Sequence, residues 1–136
     1  MMLALEDLKG LSEEEIMAHM ASSFQVERKV INKFKVLLAY ESVGDYGCDS
    51  SCYFLLRDKK TGKFFETSGS HCSCDGFEGQ FSPEEASLDY LISEKWSLGV
   101  GGYDSNSQNN IDAAKEFFKK LKKSKKQLKI EQLLKL

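Results

Sequence analysis

An α+β fold, with a small antiparallel sheet of about three strands packed with three to four helices, is what this 136-residue sequence predicts. Three observations carry that expectation. Phe34, Val36, Leu38 and Tyr40 alternate with Lys33, Lys35, Leu37 and Ala39, the period-two pattern of a strand. Tyr53-Phe54-Leu55-Leu56 and Phe64-Phe65-Glu66-Thr67 are two more strand-like runs, and Lys59-Lys60-Thr61-Gly62 reads as the turn between them. Ser12 and Ser82 each open a helix-start signature with glutamate three residues on.

Taken in order, Leu3, Leu5, Leu8 and Leu11 suggest a helical or turn-like lead-in interrupted at Gly10. A helix over about 12–24 follows, with Ser12 as N-cap, Glu15 closing a capping box, and Ile16, Met17, Met20 and Phe24 at helical spacing. Residues 25–32 are ambiguous. Gly44, Asp45 and Gly47 mark a loop after the first strand. Pairing Asp58 with Lys63 sets the hairpin register, so that Gly69 faces Cys52 and Ser73 faces Cys48. Ser82-Pro83-Glu84-Glu85 predicts a helix with Pro83 at its first position and Leu88, Leu91, Ile92 and Trp96 on its buried face. A Gly-, Ser- and Asn-rich loop covers 97–110. Asn110 can then cap a last helix with the stripe Ile111, Ala114, Phe117, Phe118 and Leu121. The stripe thins through Lys122-Lys123-Ser124-Lys125-Lys126 and resumes with Leu128, Ile130, Leu133, Leu134 and Leu136. One long helix and two separate helices both fit.

The length suits a single domain, 1–136, able to bury a core without staples. Hydrophobic residues at 41% and charged residues at 29% argue against wholesale disorder. No apolar run approaches the roughly 18–20 residues of a membrane-spanning helix, so no membrane partner is expected. An acidic N-terminus without a basic n-region predicts a cytoplasmic protein. The net charge of −2 hides an asymmetry. Residues 111–136 carry nine lysines against three acids, +6, which leaves −8 for residues 1–110. A basic tail beside an acidic body is a cue for an anionic partner, and nucleic acid could be held through these C-terminal lysines. A solvated helix face is the plainer account. Phe117 and Phe118 lie on the apolar stripe, where they pack rather than stack on bases.

All four cysteines and one of the two histidines fall within 27 residues, as Cys48, Cys52, His71, Cys72 and Cys74. The hairpin brings the two clusters to its open end. A structural zinc site from Cys48, Cys52, Cys72 and either Cys74 or His71 is one reading. Cys72-Ser73-Cys74 departs from the usual ligand spacing. Four reduced cysteines acting as small hydrophobes, or a Cys48–Cys74 disulfide, remain open. Catalysis would need His71 paired with Cys48, or oriented by Asp49 or Asp75, because His71 and Cys72 point to opposite faces of a strand. Asp45, Asp49, Asp75 and Glu78 could offer oxygens to a hard cation, without EF-hand spacing. Tyr46, Asp49, His71, Asp75 and Glu78 are the candidate binding residues.

The run Gly69-Ser70-His71-Cys72-Ser73-Cys74-Asp75-Gly76-Phe77-Glu78-Gly79-Gln80-Phe81, followed by Pro83-Glu84-Glu85, resembles a segment of small bacteriophage- and prophage-encoded proteins. In them a Tyr/Phe-rich hairpin leads into a Gly-Ser-His-Cys-Ser-Cys motif and then a helix. The resemblance covers roughly 46–90 and leaves out the lysine-rich part. It implies a phage-type origin without implying a mechanism. The expectation is a non-enzymatic module that docks on a host protein and inhibits a host defence system, of the anti-CRISPR kind, or a regulatory system. A zinc-binding domain and a small hydrolase centred on His71 are the alternatives. The terminal leucines would also suit a homo-oligomer.

Overall fold

The computed structural model describes residues 2–43, 50–72, 76–98 and 107–135, apart from the Ser107 side chain. Five strands form one mixed sheet in the order β1-β2-β3-β4-β5: β1 (Leu3–Glu6), β2 (Phe34–Ser42), β3 (Ser50–Asp58), β4 (Phe64–His71) and β5 (Glu84–Glu85). β1 runs parallel to β2, and every other pairing is antiparallel. Helices α1 (Glu13–Phe24) and α2 (Arg28–Ile31) belong with one face of the sheet. Helices α3 (Leu88–Leu91) and α4 (Ser107–Leu134) cover the other. The α+β class stands; the sheet has five strands instead of three and is mixed instead of antiparallel.

Two aromatic-rich cores result. Under α1, Ile16, Met20 and Phe24 meet Val36, Ala39, Phe54, Leu56 and Phe77. Phe24 is the hub, with ring centroids 5.9, 6.1 and 5.4 Å from Phe54, Phe77 and Phe81. Under α4, Leu38, Tyr40, Tyr53 and Leu55 meet Leu91, Trp96, Ala114, Phe117 and Phe118. Because β2 and β3 are covered on both faces, their sequences are nearly continuous apolar runs.

The capping box at Ser12 forms as its sequence predicts: Glu15 N donates to Ser12 Oγ at 3.1 Å and Ser12 N to Glu15 Oε1 at 3.2 Å. The hairpin register is also as read, with Cys52 opposite Gly69 and Asp58 N donating to Lys63 O at 2.9 Å. Ser73 and Cys48, the next predicted pair, lie outside the described residues.

Four local readings are corrected. The leucine-rich lead-in begins as strand β1, since Leu3 and Leu5 share a period of two and lie beside Leu38 and Tyr40. β2 carries a bulge between Val36 and Leu38. The extra residue switches faces, so Val36 packs under α1 whereas Leu38 and Tyr40 pack under α4. Ser82 does not start a helix. Its N–H donates to Thr67 Oγ1 at 3.1 Å and Ala86 N donates to Phe64 O at 2.9 Å, which draws Glu84–Glu85 onto the edge of β4. Backbone pairing at an open edge outweighs the local helix signal there. The N-cap is Ser87, which accepts from Tyr90 N. Asn110, finally, is inside α4 and donates to Glu6 Oε1 at 2.9 Å, tying that helix to β1.

Candidate functional site

At the open end of the β3–β4 hairpin, the predicted residues do three different things. Cys52 is 3% exposed and belongs to the core under α1. Burial first, then the Glu41 carboxylate, pushes its thiol up to about 12, so at neutral pH it is a small apolar filler. Cys72 is exposed. His71 is half-buried; its Nδ1–H donates to the Cys72 carbonyl at 2.7 Å and its ring meets Phe77 edge-on at 4.4 Å. The imidazole thus engages the backbone of Cys72, not its thiol. Glu78 is turned to the backbone too, accepting from Gly76 N at 2.9 Å. Tyr46, Cys48, Asp49, Cys74 and Asp75 lie outside the described residues. Among those described, no group of three His, Cys, Asp or Glu side chains is placed to share a metal ion.

The motif around these residues builds a corner. Phe77 enters the core against β4, and Gly79, at φ +75°, reverses the chain so that Gln80 N donates to Phe77 O at 3.1 Å. Gln80 then pairs with Ser70 as a strand residue would: Oε1 accepts from Ser70 N and Nε2 donates to Ser70 O, both at 2.9 Å. Gly69 is required by this approach. A Cβ there would lie 2.8 Å from Gln80 Oε1 and 2.9 Å from Phe77 Cδ1.

A polar cluster missed by sequence reading sits under α1. His19 points to β2, with Nε2 2.9 Å from Glu41 Oε1 and 3.2 Å from Ser23 Oγ. Serine and carboxylate share one ring nitrogen, whereas a hydrolytic triad divides them between two. The hydrogen bond to Glu41 raises the His19 pKa above its ordinary value against the opposing effect of burial. The signal was present: His19 and Ser23 flank the apolar stripe at a spacing of four. A second network joins Tyr53, Glu66 and Trp96. The phenol donates to Glu66 Oε2 at 2.7 Å, and Trp96 Nε1 donates to both, at 3.1 and 3.3 Å. Burial and the Glu66 carboxylate keep the Tyr53 phenol protonated far above its usual range.

Among the described residues, a broad concave surface lies at the other end of the hairpin. α4 is one continuous helix, and Ile111, Ala114, Phe117, Phe118 and Leu121 join it to the body. Beyond them it overhangs the β3–β4 turn. Three adjoining hollows, of about 460, 400 and 300 Å³, share residues and run from the turn around the helix. Eleven basic and four acidic side chains line them, a local excess of seven positive charges in a chain of net charge −2. Lys122 pairs with Asp89 at 3.1 Å and Lys63 with Glu85 at 3.7 Å. The rest of α4 also bears exposed apolar residues: Leu128, Ile130, Leu133 and Leu134. No described helix is long and apolar enough to cross a membrane.

No protein-family model matches this chain, and neither a curated protein nor a solved structure is significantly similar to it.

Proposed function

We propose that this protein is a non-enzymatic binding module that engages an anionic macromolecule through the basic track of α4 and the β3–β4 turn. The single observation that carries the reading is the track's excess of seven positive charges, against a net −2 for the whole chain. Lysines spread evenly over a surface would signify solubility. Confined to one grooved region, they raise the local concentration of a polyanion and make its binding salt-dependent. The described histidines and Cys52 support the non-enzymatic part, because each is already engaged in holding the fold. The resemblance to phage and prophage proteins is in keeping with a host macromolecule as partner, and with inhibition of a host defence or regulatory system as the outcome.

Retention on heparin or phosphocellulose tests the reading. A protein of net charge −2 without a basic track passes through at neutral pH; this one is expected to bind and to elute with salt. Replacing Lys126 and Lys129 by Glu should abolish retention while leaving the circular dichroism spectrum unchanged. Flow-through of the unaltered protein at low salt would refute the proposal.

A second reading, docking on a host protein, is favoured by the exposed Ile130, Leu133 and Leu134 at the end of α4. A helix presenting such residues fits an apolar groove. Substituting all three by Asp should abolish a salt-resistant complex in host lysate, and retention of that complex would refute this reading.

A further inference from the structure

We propose that the cleft roofed by the overhanging part of α4 holds a single strand of nucleic acid, with phosphates on the lysines and a base against Phe64. This rests on the anionic-partner reading above and names the partner's class. The two larger hollows, about 460 and 400 Å³, have Gly62, Phe64 and Lys125 in common. They therefore adjoin as two arms of the cleft that meet at the Phe64–Lys125 contact. Each arm has the volume of an ordinary small-ligand pocket, roughly 300–1,000 Å³, which suits about one nucleotide.

Both arms combine basic and apolar side chains. Lys122, Lys125, Lys126 and Lys129 roof the first, and Lys35, Arg57 and Lys59 rim the second. Both arms also have apolar surface, from Phe64, Ala86 and Leu88 in the first and from Phe64, Leu121 and Leu128 in the second. Asp89 and Glu85 occupy Lys122 and Lys63. Lys126 and Lys129 form no ion pair among the described residues, so their charges are available to phosphates.

A charged groove combined with an aromatic face is how proteins hold unpaired strands. Phe64 supplies that face. Its ring is half-buried, and the Lys125 ammonium lies over it, 5.8 Å from the centroid, so the face is turned to the cleft. A base entering between them would keep the lysine close enough to meet the neighbouring phosphate. Phe117 and Phe118 are buried in the core and take no part. A duplex, by contrast, keeps its bases stacked inside and presents only grooves and backbone. It could lie on the outer lysines of α4 but could not place a base on Phe64.

Fluorescence anisotropy at low salt distinguishes these cases, using a labelled oligothymidylate of about twelve nucleotides, a duplex of equal length, and the full chain. The strand is expected to bind at least about tenfold tighter than the duplex. Phe64→Leu keeps the apolar cover but removes the aromatic face, and should weaken strand binding about fivefold or more without changing duplex binding. The double variant K126Q/K129Q, at exposed positions, should weaken the strand whatever the fate of F64L. Duplex binding equal to or tighter than strand binding overturns the strand assignment and leaves the anionic-partner reading intact. Strand preference with an unaffected, folded F64L overturns the role of Phe64. Failure of both probes to bind at low salt overturns this inference and the broader reading together.

Discussion

Gly69 stands directly opposite Cys52 in the β3–β4 ladder, and the absent side chain at 69 is the space that Phe77 and the Gln80 carboxamide fill. Cys52 Sγ would itself lie 3.4 Å from a Cβ at that position. The thiol, the glycine and the corner loop are therefore one packing unit. Its disturbance is the most direct test of the corner.

Gly69→Ala forces the Phe77 ring and the Gln80 carboxamide to shift, because both would lie within 3.0 Å of the new Cβ. Overpacking of this kind costs about 1–3 kcal/mol. Thermal and urea melts should show that loss. An unchanged midpoint would mean that the corner does not pack as described.

Thiol reactivity separates the two described cysteines. Cys72 is exposed, while Cys52 is buried with its thiol pushed up to about 12. Brief alkylation of the reduced, native protein at pH 7.5, followed by peptide mapping, should modify Cys72 and spare Cys52. Comparable labelling of both would contradict the placement of Cys52.

The His19–Glu41 pair makes stability depend on pH with a definite sign. The folded pKa of His19 is raised, so the folded state holds the proton more tightly than the unfolded chain. The pair's contribution is complete below the unfolded histidine value of about 6.5, and disappears as pH rises through the folded value. Glu41→Gln should therefore lower stability more at pH 5.5 than at pH 9. With His19 about a third exposed, solvent screening keeps the difference to about 1 kcal/mol or less. Denaturation curves at the two pH values should show it; a larger penalty at pH 9 would reverse the assignment.

Tyr53→Phe removes the hydroxyl that joins Glu66 and Trp96. Trp96 keeps its 3.3 Å bond to Glu66, so the expected cost is about 1–2 kcal/mol rather than collapse. Trp96 is the sole tryptophan and only 3% exposed, so its emission reports the change without labelling. A red shift with easier acrylamide quenching is expected, and identical spectra would show that the hydroxyl is not holding the indole.

Removing residues 124–136 should cost less than about 1 kcal/mol, since most side chains beyond Leu121 are exposed and the helix body is anchored earlier. Heparin retention should fall sharply in the same variant. Unfolding on truncation would mean that the overhang is part of the core.

The parts legible in the sequence are those decided locally. A capping box is three residues wide, and the Asp58–Lys63 turn dictates which residues of β3 and β4 face each other. Both therefore appear where the sequence predicts. β1 and β5 are decided remotely, by free edges on β2 and β4, and the helix signal at Ser82 yields to one of them. The bulge at Val36–Leu38 is hidden for another reason: β2 is apolar on both faces, so alternation does not say where a register shift occurs. The cleft escaped because Lys59 and Lys63 carry no local sign that α4 will lie across them. Of the cysteine cluster, the meeting of Cys52 with Gly69 could be read, whereas the inward turn of Cys52 and the backbone bond of His71 depend on Phe77 and the corner loop.

The Gln80 carboxamide has a consequence for the solution behaviour of the chain. A strand edge with free N–H and C=O groups invites pairing with another molecule, and short charged or covered edges are how soluble proteins avoid it. β5 pairs with Phe65 and Glu66, and Ala86 after it with Phe64, whereas β4 continues to His71. Where β4 outruns its partner, one side chain occupies both backbone groups of Ser70 and refuses them to a stranger. Gln80 is thus a gatekeeper against sheet extension, and its mutation would endanger solubility before it endangered the fold.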